Sequence, residues 1–436
     1  MKVWNLKAKL ARMSHDDGGS MTVLGLFIFL AIAMTGAIAL DFGQLHSARA
    51  QLQVLADQVG HAAIYQREDK TADVAIADAV ALANATAAIS RYGEPIKATD
   101  IKFGTFDKAT NTFTENAASK EAVRVVATFA ESRGNASPSY LFRLVGFNSF
   151  DIVVESVWEA YYPACLNEGL VAVGIVDVRS NNGFGDGFCL HSNDHIEMQN
   201  DNGFGSNATV SMPDKSNVIS GSYESNPGLE DALKDGFLGL RVLNRLETFR
   251  EGLLAGDTDL ISFPIVNYVP VNVKGKSFDG SDFVAGNIYN LTCPGQRIKI
   301  DASAVSLDGV VIVTDCALVF SGDSLLLNTI ILTTDTSAKS ISSPSNMILG
   351  LNDGCAPTGG ATLLTYGGMS FPAKLNAYGG TLIARNDIEY AANANGMQGV
   401  SMVAGGIISG TSNMGMGACP NDMDTSFEVP YFRMAR

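Results

Sequence analysis

Hydrophobic and polar positions change period several times along this chain. Residues Met21 to Leu40 (MTVLGLFIFLAIAMTGAIAL) are consecutive uncharged, mostly apolar positions. At about 1.5 Å per helical residue they match a hydrocarbon core of roughly 30 Å, which predicts a transmembrane helix over 21–40. Beyond it, Leu45, Ala48, Leu52, Leu55, Val59 and Ala62 recur at steps of three and four, while Gln44, Arg49, Gln51, Gln53, Asp57 and Gln58 fill the other faces. That single apolar seam predicts a helical stalk over 41–92, continuous with the span because no proline interrupts it. Two uses of the seam stay open. It can pack on the chain's own domain, or it can join copies of the chain into a homo-oligomer through Leu45, Leu52, Leu55 and Val59.

After a small α/β module over 93–162, the pattern becomes repetitive. LLTYGGMSF (363–371), LIARNDIEY (382–390) and SMVAGGIIS (401–409) begin at one constant spacing, and LDGVVIVTD (307–315) and LLNTIILTT (326–334) share it. NGFG occurs at 182–185 and again at 202–205, a spacing longer by a single position. Short Val/Ile/Leu-rich runs at this near-fixed period, with Gly, Asn and Asp between them, predict stacked coils that bury their apolar sides only against one another. The fold expected is therefore mainly β: a parallel β-helix (solenoid) over 163–426, preceded by the transmembrane helix and the small module. Leu364, Ile383 and Met402 hold equivalent repeat positions and are expected to stack as one inward column. Over 227–256, Leu229, Leu233, Phe237, Leu240, Leu243 and Leu246 at three- and four-residue steps predict a helical insertion lying on the solenoid.

Charge orients this arrangement. The tail over 1–20 carries four basic residues (Lys2, Lys7, Lys9, Arg12) against Asp16 and Asp17, a net +2, so the chain's −15 becomes −17 beyond residue 40. The positive-inside rule places the tail in the cytoplasm and the acidic bulk across the membrane. The competing reading is a cleaved signal peptide, with Ala37-Ile38-Ala39 as the small-x-small site; the apolar run is longer than the roughly 7–15 residues such peptides use. The acidic balance argues against nucleic acid as a partner. Apolar residues make up 46% of the chain, enough for a sizeable core.

Six cysteines lie beyond the span, as expected in an oxidising periplasm. Cys165 and Cys189, like Cys293 and Cys316, are separated by about one coil, so adjacent coils bring each pair near bonding range. Cys355 and Cys419 remain to pair across several coils. Catalytic chemistry is thinly supplied. Asp308, Asp315, Asp323, Asp335, Asp387 and Glu389 lie on or beside the repeats, where carboxylates roughly 5–9.5 Å apart could serve as acid and base; coil corners also favour Asp for backbone reasons. Asn181-Asn182-Gly183 and Asn200-Asp201-Asn202-Gly203 offer oxygen ligands for Ca²⁺ but match no EF-hand loop. His191 and His195 sit in a Gly-rich context where a loop is expected, so their spacing of four carries little weight for zinc. Gly275-Lys276-Ser277 resembles the end of a phosphate loop, with Pro270 where the first Gly belongs. No catalytic, cofactor or metal site is assigned.

The segment GGSMTVLGLFIFLAIAMTGAIALDFGQLHSARAQLQVLADQVGHAA (18–63) resembles the N-terminal region of TadE/TadG-like proteins of tight-adherence (Flp) pilus assembly. The likeness lies in the small-residue entry, the apolar span, the Asp41-x-Gly43 exit and the helix after it. IKFGTFD (101–107), AVRVVATFA (122–130) and YLFRLVGFNSFDIVVESVWEAY (140–161) extend it over about the first third. Two family features are missing. A cut after Gly19 would place Leu24, not Glu, at the fifth mature position, and Asp177-Val178-Arg179-Ser180 has Arg where a von Willebrand DxSxS metal site needs Ser. The resemblance implies a single-pass bacterial inner-membrane protein with its bulk in the periplasm, working with other pilus-assembly proteins as a structural component. The alternative is a membrane-tethered β-helix that binds or cleaves carbohydrate.

Overall fold

The computed structural model describes residues 19–86, 93–354, 359–419 and 426–436. It is mainly β and divides into two compact units, one made of Met1–Tyr161 with Pro430–Arg436, the other of Tyr162–Val429.

In the first unit one helix runs unbroken from Gly19 to Arg67. Its first half is exposed and apolar, and it is the one helix among the described residues long and apolar enough to cross a membrane. From Ala48 onward the seam turns inward. Leu52, Leu55 and Val59 are buried against an antiparallel sheet whose strands run Thr112–Glu115, Ile101–Asp107, Ala122–Phe129, Ile152–Tyr161, Tyr431–Met434 in spatial order. Gly60 permits the closest approach: a Cβ there would stand 2.6 Å from Cδ1 of Trp158. A second helix, Ala72–Ala85, adds Ala75, Ala79 and Ala83 to the same core, one small residue per turn.

The stalk is not one rod over 41–92, because the charged and turn-forming stretch 68–71 breaks it after Arg67; residues 87–92 lie outside the described ones. Leu52, Leu55 and Val59 take up the first of the two uses left open for the seam, packing on the chain's own domain. Those side chains are already occupied by the chain's own sheet, and Leu45 packs at the edge of the same cluster.

The second unit is a parallel sheet of 22 strands. Its rungs pair at about one repeat: Leu307 with Leu326, Leu363 with Leu382, Gly183 with Gly203. Side chains alternate between two faces. Ile312, Ile331, Leu363, Leu382, Met402, Leu170 and Leu190 form one buried column, and Val313, Leu332, Leu364, Ile383, Val403 and Val171 form its neighbour facing the other way. The expected column is corrected accordingly. Leu364 and Ile383 do stack, but Met402 pairs with Leu382, and Val403 continues their column. Register shifts after Phe371 and Leu375 lengthen that repeat by a single position, and such a slip moves a strand side chain to the opposite face.

Rung order departs from chain order. The last strands stack on the first, Ser401–Ala404 pairing with Gly169–Ala172, so the ladder runs from Asn267–Lys274 through Ala404 to Gly169 and ends at Leu233–Asp235. The chain from Gly236 must therefore travel the length of about ten rung spacings, roughly 48 Å, to begin again at Asn267. It does so across the second column, laying Leu240, Leu243, Leu246, Phe249 and Leu253 on Val313, Leu332, Leu364, Ile383 and Val403. The helical insertion expected over 227–256 is thus shorter. Leu233–Asp235 is a strand, Phe237 is exposed between Gly236 and Gly239, and the main helix is Leu246–Ala255, ended by Gly256 at φ 73°.

Candidate functional site: the end of the apolar run, polar corners and a glycine-walled groove

One position past the apolar span, Asp41 is buried. Its carboxylate accepts the backbone N–H groups of Tyr140 (2.6 Å), Leu141 (3.0 Å) and Phe142 (2.6 Å), at the start of a 3₁₀ turn over Phe142–Val145. Three charge-assisted bonds serve the backbone donors that lead into that turn and pin the loop to the helix where the apolar run ends. The sequence marks Asp41 only as part of an exit motif; its partners stand far along the chain and leave no local signal.

In the second unit, asparagines occupy one corner of successive rungs. Asn202 Oδ1 accepts both the backbone N–H (3.1 Å) and the side-chain amide (3.0 Å) of Asn182, and Asn226 Oδ1 accepts the same two donors of Asn202 (3.0 and 3.1 Å). Asn182 Oδ1 in turn accepts the N–H of Met414. All three amides are buried. Asn181, Asp201 and Asn413, just ahead of successive rungs of this corner, take positive φ (58°, 63° and 66°), which Asn and Asp tolerate better than most residues. The oxygens proposed above as Ca²⁺ ligands at Asn182 and Asn202 are spent on this ladder.

The other candidates are placed as follows. Asp308 accepts from Asn328 Nδ2, Asp335 from the N–H of Ser337, Asp387 from the N–H of Ile407 and Glu389 from Ser370 Oγ. Each of these holds a turn or a neighbouring rung. Asp177 is raised above the usual aspartate range, first by burial; Arg179 at 3.0 Å opposes this and Glu197 on the next rung adds to it. His191 is buried with Nδ1 2.7 Å from Ser211 Oγ and Nε2 2.9 Å from Asn193 Oδ1, and burial lowers its pKa. His195 lies between Asp194 and Glu197, each at 3.0 Å, which raise its pKa. The two rings thus serve different partners. Gly275 links two strands rather than opening a helix, so no phosphate cradle forms there.

Cys165 and Cys189 are disulfide-bonded with Cα atoms 5.0 Å apart, as are Cys293 and Cys316 at 6.3 Å. Cys419 is also disulfide-bonded, and Cys355, its expected partner, lies outside the described residues. Among the described residues, Cys293, Asp315 and Cys316 come close enough to share a cation, but both sulfurs are bonded to each other.

A groove of about 670 Å³ follows the short strands just after the asparagine corner, lined by Gly183-Phe184-Gly185, Gly203-Phe204-Gly205 and Gly415-Met416-Gly417 with Met397, Gln398, Pro227 and Gly228. Among the described residues its walls are glycine backbone, Phe and Met with Pro227 and Gln398, and none of these carries a titratable or nucleophilic side chain. It offers dispersion and backbone hydrogen bonds, and nothing for proton transfer.

A domain of unknown function, DUF7867, matches residues 169–420, from the first rung to just past the last cysteine. The family described as Tad-like Flp pilus-assembly matches residues 60–157, the end of the long helix and most of the antiparallel sheet. No curated protein and no solved structure matches the chain. Since the first match covers more than half of its length, the chain belongs to the DUF7867 family, and the domain ahead of it makes it a Tad-related protein with a pilus-related role.

Proposed function

We propose that this is a single-pass inner-membrane protein, with its bulk in the periplasm, that serves tight-adherence pilus assembly as a structural component. One observation carries the reading: a single helix is exposed and apolar over its first half and forms the buried seam of the Tad-like module over its second. The module therefore begins inside the element that crosses the bilayer. Ala37-Ile38-Ala39 lies in the middle of this helix, which supports a retained anchor over a cleaved signal peptide. The +2 tail and −17 bulk support the orientation, and the disulfide-bonded pairs support an oxidising compartment.

On this reading the parallel strands form a closed β-helix that acts as a rigid scaffold, without enzymatic activity or cofactor. Carboxylates engaged in rung-to-rung bonds, and a groove without titratable groups, favour scaffold over a carbohydrate-cleaving enzyme. The partners are other pilus-assembly proteins. The test is Leu30→Arg, which should cost about 2.5–3.5 kcal/mol of insertion free energy at mid-span. Bacteria carrying it should lose membrane-retained protein and surface pili together. Normal piliation without the membrane-bound chain would overturn the proposal. Asp387→Asn should leave piliation intact; loss of a polysaccharide-cleaving activity in that variant would replace the scaffold with an enzyme.

A further inference from the structure

The loop that Asp41 pins exposes apolar side chains in a place where water is an unfavourable neighbour. Leu144 is 78% exposed and Phe147 is 64% exposed, with Tyr140 and, on the helix itself, Phe42 about half exposed. The loop is closed at its base by the pairing of Ser137–Pro138 with Ser149–Phe150 and by the Ser139 N–H to Asn148 C=O bond at 3.0 Å. Phe142 packs edge-on to Phe42, with ring centroids 6.3 Å apart. The loop is thus closed at its base, and Leu144 and Phe147 stay outside the core.

Its position follows from the tether. Asp41 directly follows Leu40, the last residue of the apolar span, so the start of the loop lies within about one helical turn of the hydrocarbon boundary. Between Ser137 and Asn148 the only charged residue is Arg143, which is exposed. A long cationic side chain flanked by Leu and Phe is the composition of an interfacial element, its stem apolar and its head able to reach lipid phosphates.

We propose that Tyr140–Phe147 docks into the periplasmic headgroup and acyl boundary of the bilayer that the helix crosses, giving the module a second, monotopic foothold beside its span. This inference rests on the anchored reading above. The occupant is lipid because the patch continues the lipid-facing surface of the span at the level where that surface ends. Two footholds fix the tilt and rotation of the module on the membrane, which one helix alone does not.

The test uses the full chain, reconstituted in vesicles of phosphatidylethanolamine and phosphatidylglycerol with acyl-chain-brominated lipid as quencher. Leu144→Trp and, separately, Phe147→Trp replace exposed side chains and leave the core untouched. Thr110→Trp, on the exposed hairpin turn after Asp107, is the control. Difference emission against the parent chain isolates the added indole. A tip buried roughly 5–10 Å deep loses about half or more of its emission, while the control loses little. If the chain stays in the vesicles after alkaline washing but both tip variants behave like the control, the docking proposal falls and the anchor stands. If the chain washes out, both fall. A patch that serves a protein partner instead gives the unquenched result, since no other protein is present.

Discussion

Ile383 stands in the middle of the outward column and reports on whether that column and the returning segment share one core. It is 2% exposed, paired between Leu364 and Val403, in one cluster with Leu243, Leu246 and Phe249. Ile383→Ala removes three carbon groups, worth about 2.4 kcal/mol at roughly 0.8 kcal/mol each. Neighbours held by parallel rungs on both sides collapse poorly, so a cavity term raises the expected loss to about 3–4 kcal/mol. Leu246→Ala should cost a similar amount. Val242 of the returning segment lines the same small cavity as Ile383, so the double variant Ile383→Ala with Val242→Ala should depart from additivity by about 0.5–3 kcal/mol. Pairing Ile383→Ala with Leu52→Ala, in the other unit's core, should be additive within about 0.5 kcal/mol. Urea unfolding of the detergent-solubilised chain with disulfides intact provides the numbers. A loss for Ile383→Ala below about 1 kcal/mol, less than simple transfer requires, or additivity with Val242→Ala, would refute the placement of the returning segment on this column.

Other perturbations separate the remaining parts. Asn202→Ala strips the acceptor from two donors of Asn182 and should cost roughly 2–3 kcal/mol in thermal melting; a change under about 0.5 kcal/mol would remove the ladder's structural role. Cys293→Ser opens a loop spanning about one coil and should cost about 3 kcal/mol, with non-reducing peptide maps of the parent showing Cys165–Cys189 and Cys293–Cys316; free, alkylatable thiols at these four positions would contradict the assignment. Glu247 is pushed down to about 2, first by Arg250 and then by the Tyr366 hydroxyl, which donates to it at 2.6 Å. A depressed carboxyl stabilises the fold above its unfolded pKa, and the contribution disappears as pH falls from about 4.3 through about 2. Glu247 is half exposed, so the effect should be below about 1 kcal/mol, and Glu247→Gln should flatten that acid limb; an unchanged limb would mean the contact is not populated in solution.

Much of this architecture is legible without coordinates. The apolar half of the long helix declares itself through its uncharged run, and the seam through its three-and-four spacing. The near-constant repeat length gives true rung partners wherever a rung keeps that length, as for Leu307 with Leu326 and Gly183 with Gly203. Legibility ends where the physics is non-local. A spacing argument puts Met402 in the wrong column because bulges change the repeat length by a single position, which spacing alone does not reveal. That Gly169–Ala172 stacks on Ser401–Ala404 follows from a pairing between distant parts of the chain, which leaves no mark on either strand. The insertion over 227–256 has helical spacing, yet Gly236 and Gly239 weaken the helix, and Leu233 gains more by extending the ladder. At the candidate site, Asp41 is legible as an exit residue but its loop is not, and the asparagine turns are legible as turns but not as a ladder. The cysteine spacing, in contrast, is informative, since a disulfide between neighbouring rungs needs only the repeat length.

On the proposed reading, the helix Gly19–Arg67 is at once the membrane anchor and the first element of the Tad-like module. Alkaline extraction of membranes from the producing bacterium, followed by N-terminal and intact-mass analysis, tests it most directly. The chain should be found in the membrane pellet with the apolar span still attached, and digested by protease only once the outer membrane is opened. A soluble chain beginning near Leu40 would contradict it, showing that the apolar segment is a signal peptide and that the module stands free of the membrane.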